Sequence, residues 1–354
     1  MYGLGNSVQA FEHELTLYFG KPSCSLCVTG TASQQSMLRV VMSKKPGRPA
    51  ALHPTSHMVW LDCLTDGAIL EAGFSEKCAE NLGMDGVMCG EAHRVMTFLD
   101  VEACLGQEPR PALLAVELGQ RMNGGASMCW DDLLKTRALC STLDVWLHMD
   151  GARLWEAAPG YGRTCAEIAS QFDSVYVSFY KGLGAISGAA LLGPSDFIAS
   201  SKTWLKRMGT VAFSCAPVAL SCRECFRKHS SEFPDRLIRL REFVEALSTD
   251  PFINNVVRFD PPVPQSCLVH CYVHGEPDAL EVAHARVQHA HTKLWGRLRG
   301  CGHTLEQGHG GEQYFEWSMG PQNASLPLEA LVDGWKLIAA SVASSCAKEH
   351  AERD

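Results

Sequence analysis

The chain has 354 residues, which is long enough for two domains with cores of their own. A hydrophobic content of 46% and a charged content of 20% are typical of a globular protein, and a formal net charge of −8 argues against binding to nucleic acid or to an anionic membrane surface. The sequence contains no run of about 18 apolar residues, so no membrane-spanning helix is predicted.

The first predicted elements are a helix, a strand and a second helix. Residues 9–19 place apolar groups at helical spacing, and Gly20 is a stop signal. Ser25–Val28 reads as a strand, and Thr29-Gly30-Thr31 begins a helix that runs to about Met42. Its glycine permits a tight turn, and backbone N–H groups at a helix N-terminus bind anions such as phosphate. On local sequence alone, an ordinary capped helix is the favoured interpretation.

Residues 50–61 contain two histidines, His53 and His57. From spacing alone, His57 is more simply a half-buried histidine with satisfied hydrogen bonds than a functional group. Pro111–Glu117 follows as an apolar strand that ends in a carboxylate, and residues 131–143 are typical of a helix.

The most informative stretch lies between residues 145 and 188. Val145–Met149 is a short apolar run that stops at Asp150, and Ser174–Tyr180 is a β-branched and aromatic run that stops at Lys181. Two such strands joined by a helical segment indicate a βαβ unit and therefore a parallel sheet. Because ligands bind at the carboxyl ends of parallel strands, we expect Asp150 and Lys181 to face one site.

A lysine and an aspartate that converge on one site suggest pyridoxal phosphate (PLP). A lysine amine forms a Schiff base with the cofactor's aldehyde, and a carboxylate keeps the cofactor's ring nitrogen protonated. The alternative is a surface lysine and a helix-capping aspartate, which would be favoured for either residue alone because charged side chains are mostly exposed.

The rest of the chain predicts one more strand of the large domain and then a smaller domain. Residues 1–230 are predicted to form a large domain and residues 231–354 a small C-terminal α+β domain. The elements predicted in this part of the chain are the strand Ala189–Gly193, the helix Ser195–Met208, helical structure over 216–247, strands at about 267–274 and 313–319, and helices from Pro277 to Leu298 and from Leu328 to Cys346.

The 16 cysteines are scattered rather than placed at spacings typical of disulfide frameworks. The N-terminus has neither the basic start nor the apolar core of a secretory signal. Free thiols in a reducing compartment, the cytoplasm, are therefore expected. The pairs Cys24/Cys27 and Cys222/Cys225 are too far apart in sequence for a zinc ribbon, so no metal site is predicted.

Two motifs carry a family resemblance. His148-Met-Asp-Gly-Ala-Arg-Leu154 followed by Ser178-Phe-Tyr-Lys-Gly-Leu-Gly-Ala185 resembles the β-eliminating lyase and low-specificity threonine aldolase family of PLP enzymes. The resemblance implies an α/β fold of the PLP-dependent transferase-like type (fold type I), with a mostly parallel central sheet flanked by helices and a small C-terminal α+β domain. It also implies a homodimer or homotetramer, with Lys181 holding the cofactor and Asp150 facing its ring nitrogen.

The resemblance assigns roles to five further residues. Thr29-Gly30-Thr31 is similar to the family's phosphate turn, so Gly30 and Thr31 are expected to bind the phosphate. Ser56-His57-Met58 matches the segment whose histidine stacks on the cofactor ring, which implies a catalytic role for His57. Arg153 is expected to bind the substrate carboxylate or a cofactor oxygen. Gln120 stands where the aldolases carry a histidine near the substrate's β-hydroxyl.

The sequence departs from the family pattern at several positions. Gln120 can form a hydrogen bond with a hydroxyl but cannot take its proton. Phe213 occupies the place of an arginine that binds the phosphate, although Lys206 or Arg207 lies nearby in sequence. The strand at 313–319 lacks the family's carboxylate-binding arginine. The family's N-terminal arm is not found upstream of Tyr2–Ser7, which suggests a truncated chain or a late start.

The expected function is that of a PLP-dependent lyase of amino-acid metabolism. By resemblance, it cleaves the Cα–Cβ bond of a β-hydroxy amino acid and releases glycine and an aldehyde. One alternative is PLP-dependent β-elimination or transamination of another amino acid, since the aldolase histidine is absent. The other is a degenerate, non-catalytic partner subunit, which the departures motivate and the intact Asp150 and Lys181 oppose.

Overall fold

The computed structural model describes residues 5–59, 64–65, 68–69, 85–275, 277–289, 294, 298–300 and 312–351. The chain divides into two compact units. The first comprises Met1–Gln120 and Ser127–Phe233, and the second comprises Arg121–Ala126 and Pro234–Asp354. Within the N-terminal segment discussed above, residues 2–4 lie outside the described part of the chain.

The first unit alternates strands and helices. Its described strands are β1 (Ser23–Cys27), β2 (Ala50–Leu52), β3 (Leu64–Thr65), β4 (Ala68–Ile69), β5 (Gly86–Met88), β6 (Leu113–Glu117), β7 (Trp146–Gly151), β8 (Ser174–Ser178) and β9 (Ala189–Gly193). Its described helices are α1 (Asn6–Phe19), α2 (Gly30–Lys44), α3 (Phe98–Leu105), α4 (Trp130–Thr142), α5 (Leu154–Tyr161), α6 (Cys165–Ser170), α7 (Ser195–Arg207) and α8 (Ala216–His229).

A seven-stranded sheet forms the centre of the first unit. Its strand order is β1-β9-β8-β7-β6-β2-β5. The strands from β8 to β5 run parallel to their neighbours, whereas β9 is antiparallel to β8 and β1 is antiparallel to β9. Strands β3 and β4 pair separately with each other. The predicted mostly parallel central sheet of an α/β fold is therefore confirmed.

Apolar helix faces cover this sheet. Met37, Leu38 and Val41 of α2 belong to one buried cluster with Leu113 of β6 and Leu191 of β9. Strands β8 and β9 are buried along their whole length, which explains why they read as short, nearly continuous apolar runs. Burying an apolar side chain of this size stabilises the fold by about 1.5–3 kcal/mol, so the cluster fixes α2 against the sheet.

The register of the parallel strands places functional groups at one sheet edge. Glu117 at the end of β6 pairs with Asp150 near the end of β7, and Asp150 pairs in turn with Tyr176 of β8. The carboxyl ends of these neighbouring strands therefore meet at the edge where the sequence placed the site. Since paired residues point to the same face, Asp150 and Tyr176 share one face of the sheet.

Several predicted elements differ in their bounds from those observed, and three differences follow. The strand expected to reach Tyr180 ends at Ser178, so that Lys181 lies in a turn beyond the strand. The helical stretch expected over 216–247 is two helices, which are separated at residues 230–232. The helix expected to end at Leu298 ends at His289.

The second unit contains an antiparallel sheet with helices. Its described strands, in the spatial order β10-β11-β13-β12, are β10 (Val257–Asp260), β11 (Leu268–His274), β12 (Arg299–Gly300) and β13 (Glu312–Ser318). Its described helices are α9 (Phe233–Thr249), α10 (Pro277–His289), α11 (Pro321–Ala324) and α12 (Leu328–Ala351). This is the small α+β architecture that the sequence predicted for the C-terminal part.

Among the described helices, none combines the length and the hydropathy that crossing a bilayer requires.

Candidate active site

Asp150 lies in a buried position near the carboxyl end of β7. The residue is 2% exposed, and its Oδ1 accepts a hydrogen bond of 3.1 Å from the backbone N–H of Ala152. Its own carbonyl oxygen accepts a 3.0 Å hydrogen bond from the N–H of Leu118, just beyond β6. The carboxylate is thus held by a fixed backbone, which suits it to face a positive or protonated ligand group.

Lys181 lies in the turn after β8, where it is half-buried. Burial lowers the pKa of its amine, and the positive charge of Arg153 lowers this pKa further. Three carboxylates act in the opposite direction and raise it: Asp150, Glu117 and Glu156. Asp150 and Arg153 from the first sequence motif therefore both lie within electrostatic reach of Lys181 from the second, and the Lys181 amine is more often neutral than that of an exposed lysine.

Arg153 is held at the start of α5 by a close backbone approach. It occupies the N-cap position of this helix and follows β7 directly. A methyl group built at Gly119, which has a φ of +70°, would lie only 3.0 Å from Cβ of Arg153. Gly119 therefore lets the stem of Arg153 pack against the turn after β6, at the same edge of the sheet as Asp150.

The N-terminus of α2 forms the predicted anion-binding turn. The side chain of Thr29 caps the helix by accepting a 3.2 Å hydrogen bond from the N–H of Ala32. The N–H of Gly30 donates to the phenol oxygen of Tyr180 at 3.4 Å, and Thr31 is exposed. A tyrosine hydroxyl therefore lies at the site that the sequence assigned to phosphate.

Gly30 is required at this turn by close packing. A methyl group at this position would lie 2.0 Å from the phenol oxygen of Tyr176. Burial and the charge of Asp150 raise the pKa of the Tyr176 phenol, which therefore stays protonated. The sequence analysis assigned no role at the site to Tyr176 or Tyr180, although Tyr180 directly precedes Lys181 in the chain.

The two neighbouring histidines have different environments. His57 is exposed, whereas His53 is 1% exposed and fully hydrogen-bonded. The structure therefore does not place His57 in the half-buried environment considered for it, and His53 is instead the fully buried histidine with satisfied hydrogen bonds. An exposed imidazole can meet a ligand, so His57 stays a candidate for contact with the cofactor ring.

Gln120 is tied to His53 by a hydrogen-bond network. Nε2 of His53 lies 2.9 Å from the carbonyl oxygens of both Glu91 and Arg94, so this nitrogen carries the proton and donates. Nδ1 is then an acceptor, and Nε2 of Gln120 donates to it at 2.6 Å and to Oγ1 of Thr55 at 3.0 Å. The Gln120 amide nitrogen is oriented by these partners, and burial lowers the pKa of His53.

The structure also locates the positions where the family pattern is broken. Phe213 is 68% exposed, and the guanidinium of Arg207 lies 5.0 Å from the centre of the Trp204 ring. Within the second unit, Glu316 of β13 accepts from Nε of Arg121 at 2.8 and 3.0 Å. The strand that lacks the family's arginine therefore presents a carboxylate paired with an arginine from elsewhere in the chain.

The chain is similar to known proteins in sequence and in structure. An uncharacterized protein of Caenorhabditis elegans is 24% identical over 278 residues, which make up 77% of this chain and 64% of that protein. The low-specificity L-threonine aldolase of Candida albicans is 28% identical over 210 residues, or 56% of this chain and 51% of that enzyme. The chain therefore spans less than two thirds of the length of these curated relatives.

A solved structure from Listeria monocytogenes, described as a candidate L-allo-threonine aldolase, superposes with a TM-score of 0.84. It is 28% identical in sequence, and the match covers 96% of this chain and 88% of that one. The family model described as beta-eliminating lyase matches residues 1–225, which is more than half of the chain. The protein therefore belongs to the beta-eliminating lyase family.

Proposed function

We propose that the protein is a PLP-dependent lyase that cleaves the Cα–Cβ bond of a β-hydroxy amino acid to give glycine and an aldehyde. The observation that carries this proposal is the electrostatic grouping of Lys181, Asp150 and Arg153 at the carboxyl edge of the parallel sheet. The names of its relatives, which include a low-specificity L-threonine aldolase and a candidate L-allo-threonine aldolase, support the same reaction.

The residues at this edge fit pyridoxal phosphate. Asp150 is a buried carboxylate suited to a protonated ring nitrogen, and Lys181 is a half-buried amine with a lowered pKa. The N-terminus of α2 offers backbone N–H groups and the exposed Thr31 to a phosphate. When bound, the cofactor supplies an aldehyde for the lysine and an electron-withdrawing ring that weakens the bonds at the substrate's α-carbon.

Each of the grouped residues has a defined task in the proposed reaction. The lowered pKa of Lys181 leaves more of its amine neutral near pH 7, and the neutral amine is the nucleophile. Asp150 holds a proton on the ring nitrogen, which is electrostatic stabilisation by a preorganised group. Arg153 binds the substrate carboxylate through two parallel N–H donors and so fixes which bond is broken.

The proton of the substrate's β-hydroxyl needs an acceptor for Cα–Cβ cleavage. Gln120 cannot accept this proton, because an amide has no basic site in this pH range. We assign the task to His57, whose imidazole is exposed and is the side-chain type that most often acts as a general base.

β-Elimination is the second candidate, and one observation favours it. The amide nitrogen of Gln120 points to His53 and Thr55, so the position of the aldolase histidine supplies no base. Elimination removes the proton from the α-carbon instead, and Lys181, as a neutral amine, would be the residue that takes that proton. This reaction releases a 2-oxo acid and ammonia rather than glycine and an aldehyde.

We further propose a homodimer or homotetramer that works in the cytoplasm on a free amino acid. Large apolar side chains of the first unit are exposed, namely Ile186 at 77% and Phe213 at 68%, and such side chains are frequent at subunit interfaces. The 16 scattered cysteines favour a reducing compartment.

The test is an absorption spectrum of the purified full-length protein with PLP, followed by product analysis. The expected result is a band at the violet edge of the visible spectrum that Lys181→Ala removes and that the control Lys135→Ala retains, since Lys135 is 60% exposed and has no assigned role. With allo-threonine, the release of acetaldehyde and glycine supports aldol cleavage, and the release of 2-oxobutyrate and ammonia shows elimination instead. A protein that stays colourless with PLP would overturn both enzyme candidates and leave the partner-subunit interpretation.

A further inference from the structure

Glu156 is a buried carboxylate to which the proposed function gives no role. It is 7% exposed and lies in the first turn of α5, three residues after Arg153. Burying a carboxylate is costly unless its surroundings offset the lost hydration, so a buried glutamate beside a reactive lysine calls for an explanation.

The carboxylate of Glu156 lies directly against the residue that follows the reactive lysine. A methyl group built at Gly182 would be 2.3 Å from Oε1 and 2.7 Å from Cδ of Glu156, and 3.0 Å from the ring of Phe233. Gly182 is therefore packed between a carboxylate and an aromatic edge. Only glycine leaves room for both, and the contact joins the first turn of α5 to the turn after β8.

Helix capping alone does not account for this position. At the same third helical position, Asp100 of α3 and Glu167 of α6 each complete a capping box with a threonine at the N-cap. The N-cap of α5 is Arg153, whose side chain has no hydrogen-bond acceptor and makes no cap bond. The reciprocal capping box is therefore impossible at α5.

The charge of Glu156 also acts on Lys181. The charged groups that act on this lysine come from three elements: Glu117 from β6, Asp150 from β7, and both Arg153 and Glu156 from the start of α5. The resemblance and the proposed mechanism account for Asp150 and Arg153 through cofactor and substrate. Glu156 contributes a negative charge and, in addition, a direct contact with the lysine turn.

We propose that Glu156 is a positioning residue that holds the Lys181–Gly182 turn against α5 and keeps a negative charge beside the reactive amine. The chemical importance of this task rests on the proposed function, in which Lys181 is the nucleophile. The contact itself is a property of the cofactor-free protein and can be tested without turnover.

The experiment measures how fast Lys181 reacts with trinitrobenzenesulfonate as a function of pH in the cofactor-free, full-length protein. Peptide mass spectrometry reports the modification at Lys181 separately from that at other lysines. A nearby carboxylate raises the pKa of an amine. Glu156→Gln is therefore expected to move the curve of Lys181 modification rate against pH to lower pH and to speed the modification several-fold near pH 7. Glu156→Asp, which keeps the charge, is expected to stay closer to the wild-type profile.

The matched control is Glu167→Gln, since Glu167 has the same helical position in α6 and is exposed. Its Lys181 profile is expected to coincide with that of the wild type. Coincidence of the Glu156→Gln profile with the wild type would overturn the proposal. If Glu156→Gln does not fold by circular dichroism, Gly182→Ala takes its place, because the added methyl group would lie 2.3 Å from Oε1 of Glu156 and must displace the carboxylate. An unchanged pH profile of Lys181 modification in that variant would also overturn the proposal. Failure of the proposed function is recognised separately, as a protein that forms no coloured adduct with PLP.

Discussion

The phenol oxygen of Tyr180 accepts a hydrogen bond of 3.4 Å from the backbone N–H of Gly30. The residue directly before the reactive lysine thereby reaches the first N–H of α2, although 150 residues separate the two in sequence. The same oxygen lies 3.5 Å from the phenol oxygen of Tyr176. Two tyrosine hydroxyls thus meet at the turn that is expected to bind phosphate, while Phe213 stands where the family carries an arginine.

The first prediction is that Tyr180 contributes to phosphate binding. A hydroxyl at the N-terminus of α2 can donate to a phosphate oxygen, and losing one hydrogen bond to a charged group costs about 1.5–3 kcal/mol. We therefore expect Tyr180→Phe to weaken PLP binding by about tenfold to a hundredfold, as measured by quenching of tryptophan fluorescence. Binding of pyridoxal, which has no phosphate, is expected to change little.

The control for this prediction is Tyr161→Phe. Tyr161 also loses a phenol hydrogen bond in this variant, but its partner is the carbonyl oxygen of Met128 rather than the α2 turn. Equal losses of affinity for PLP and for pyridoxal in Tyr180→Phe would show that the hydroxyl does not act on the phosphate.

The second prediction concerns the close approach of Gly30 and Tyr176. In Gly30→Ala, the new methyl group would overlap the Tyr176 phenol oxygen at 2.0 Å and its ring carbon Cζ at 2.6 Å. We expect a loss of about 1–3 kcal/mol in the free energy of unfolding, as measured with urea. Adding Tyr176→Phe removes the oxygen but leaves the ring, so the double variant is expected to recover part of this loss. Strictly additive losses would contradict the clash.

The location of the site could be predicted from the sequence because its determinants are local. An apolar run that stops at Asp150 and another that stops just before Lys181 define two strand ends, and the joining helix makes them parallel neighbours. Parallel neighbours share their carboxyl edge, so two residues of chemical interest fall together without any knowledge of side-chain packing.

The contacts that refine the site could not be predicted in this way. Gln120 and His53 are 67 residues apart in sequence, and Glu156 in the first turn of α5 meets Gly182 in the turn between β8 and β9. Such pairs depend on how the elements pack against one another, and the apolar periodicity within a single element does not predict that packing. The break between α8 and α9 was missed for a related reason, because the apolar spacing continues through Ser230 and Ser231 although the helix does not.

A buried polar chain behind Asp150 has a fixed direction of hydrogen bonding. Nε1 of Trp146 can only donate, and it donates to Oγ of Ser174 at 2.8 Å. The hydroxyl of Ser174 then donates to Nδ1 of His148 at 2.7 Å, and Nε2 of His148 donates to Oε1 of Gln34 at 2.8 Å. The chain joins β7 and β8 to α2, and it requires a neutral His148.

The third prediction follows from this neutral histidine. Burial lowers the pKa of His148 to about 3, far below the usual value of an unfolded chain. The stability that depends on neutral His148 is therefore complete above about pH 6.5 and is lost progressively as the pH falls towards 3. Between pH 6 and 4, we expect the unfolding free energy to fall more steeply with decreasing pH in the wild type than in His148→Gln. The difference between the two slopes is expected to be about 1 kcal/mol per pH unit.

Chemical denaturation at several pH values checks this difference in slope. His53 and His270 also have lowered pKa values because they are buried, so both proteins lose stability in acid, and only the difference between them reports on His148. Equal slopes in the two proteins would show that His148 is protonated in the folded state or is exposed there.

The fourth prediction concerns the opposing charges around Lys181. Arg153 lowers the pKa of the Lys181 amine, whereas Glu156 raises it. Removing the guanidinium in Arg153→Gln is therefore expected to move the pH profile of Lys181 modification to higher pH, opposite to the shift expected for Glu156→Gln.

Arg163→Gln is the control, because Arg163 is exposed and stacks on Trp130, and its profile is expected to match that of the wild type. The double variant Arg153→Gln/Glu156→Gln is expected to return towards the wild-type profile, since two opposite charges have been removed together. Removing a positive charge near Lys181 can only favour the protonated amine. A shift of the Lys181 modification profile to lower pH in Arg153→Gln would therefore contradict this electrostatic account.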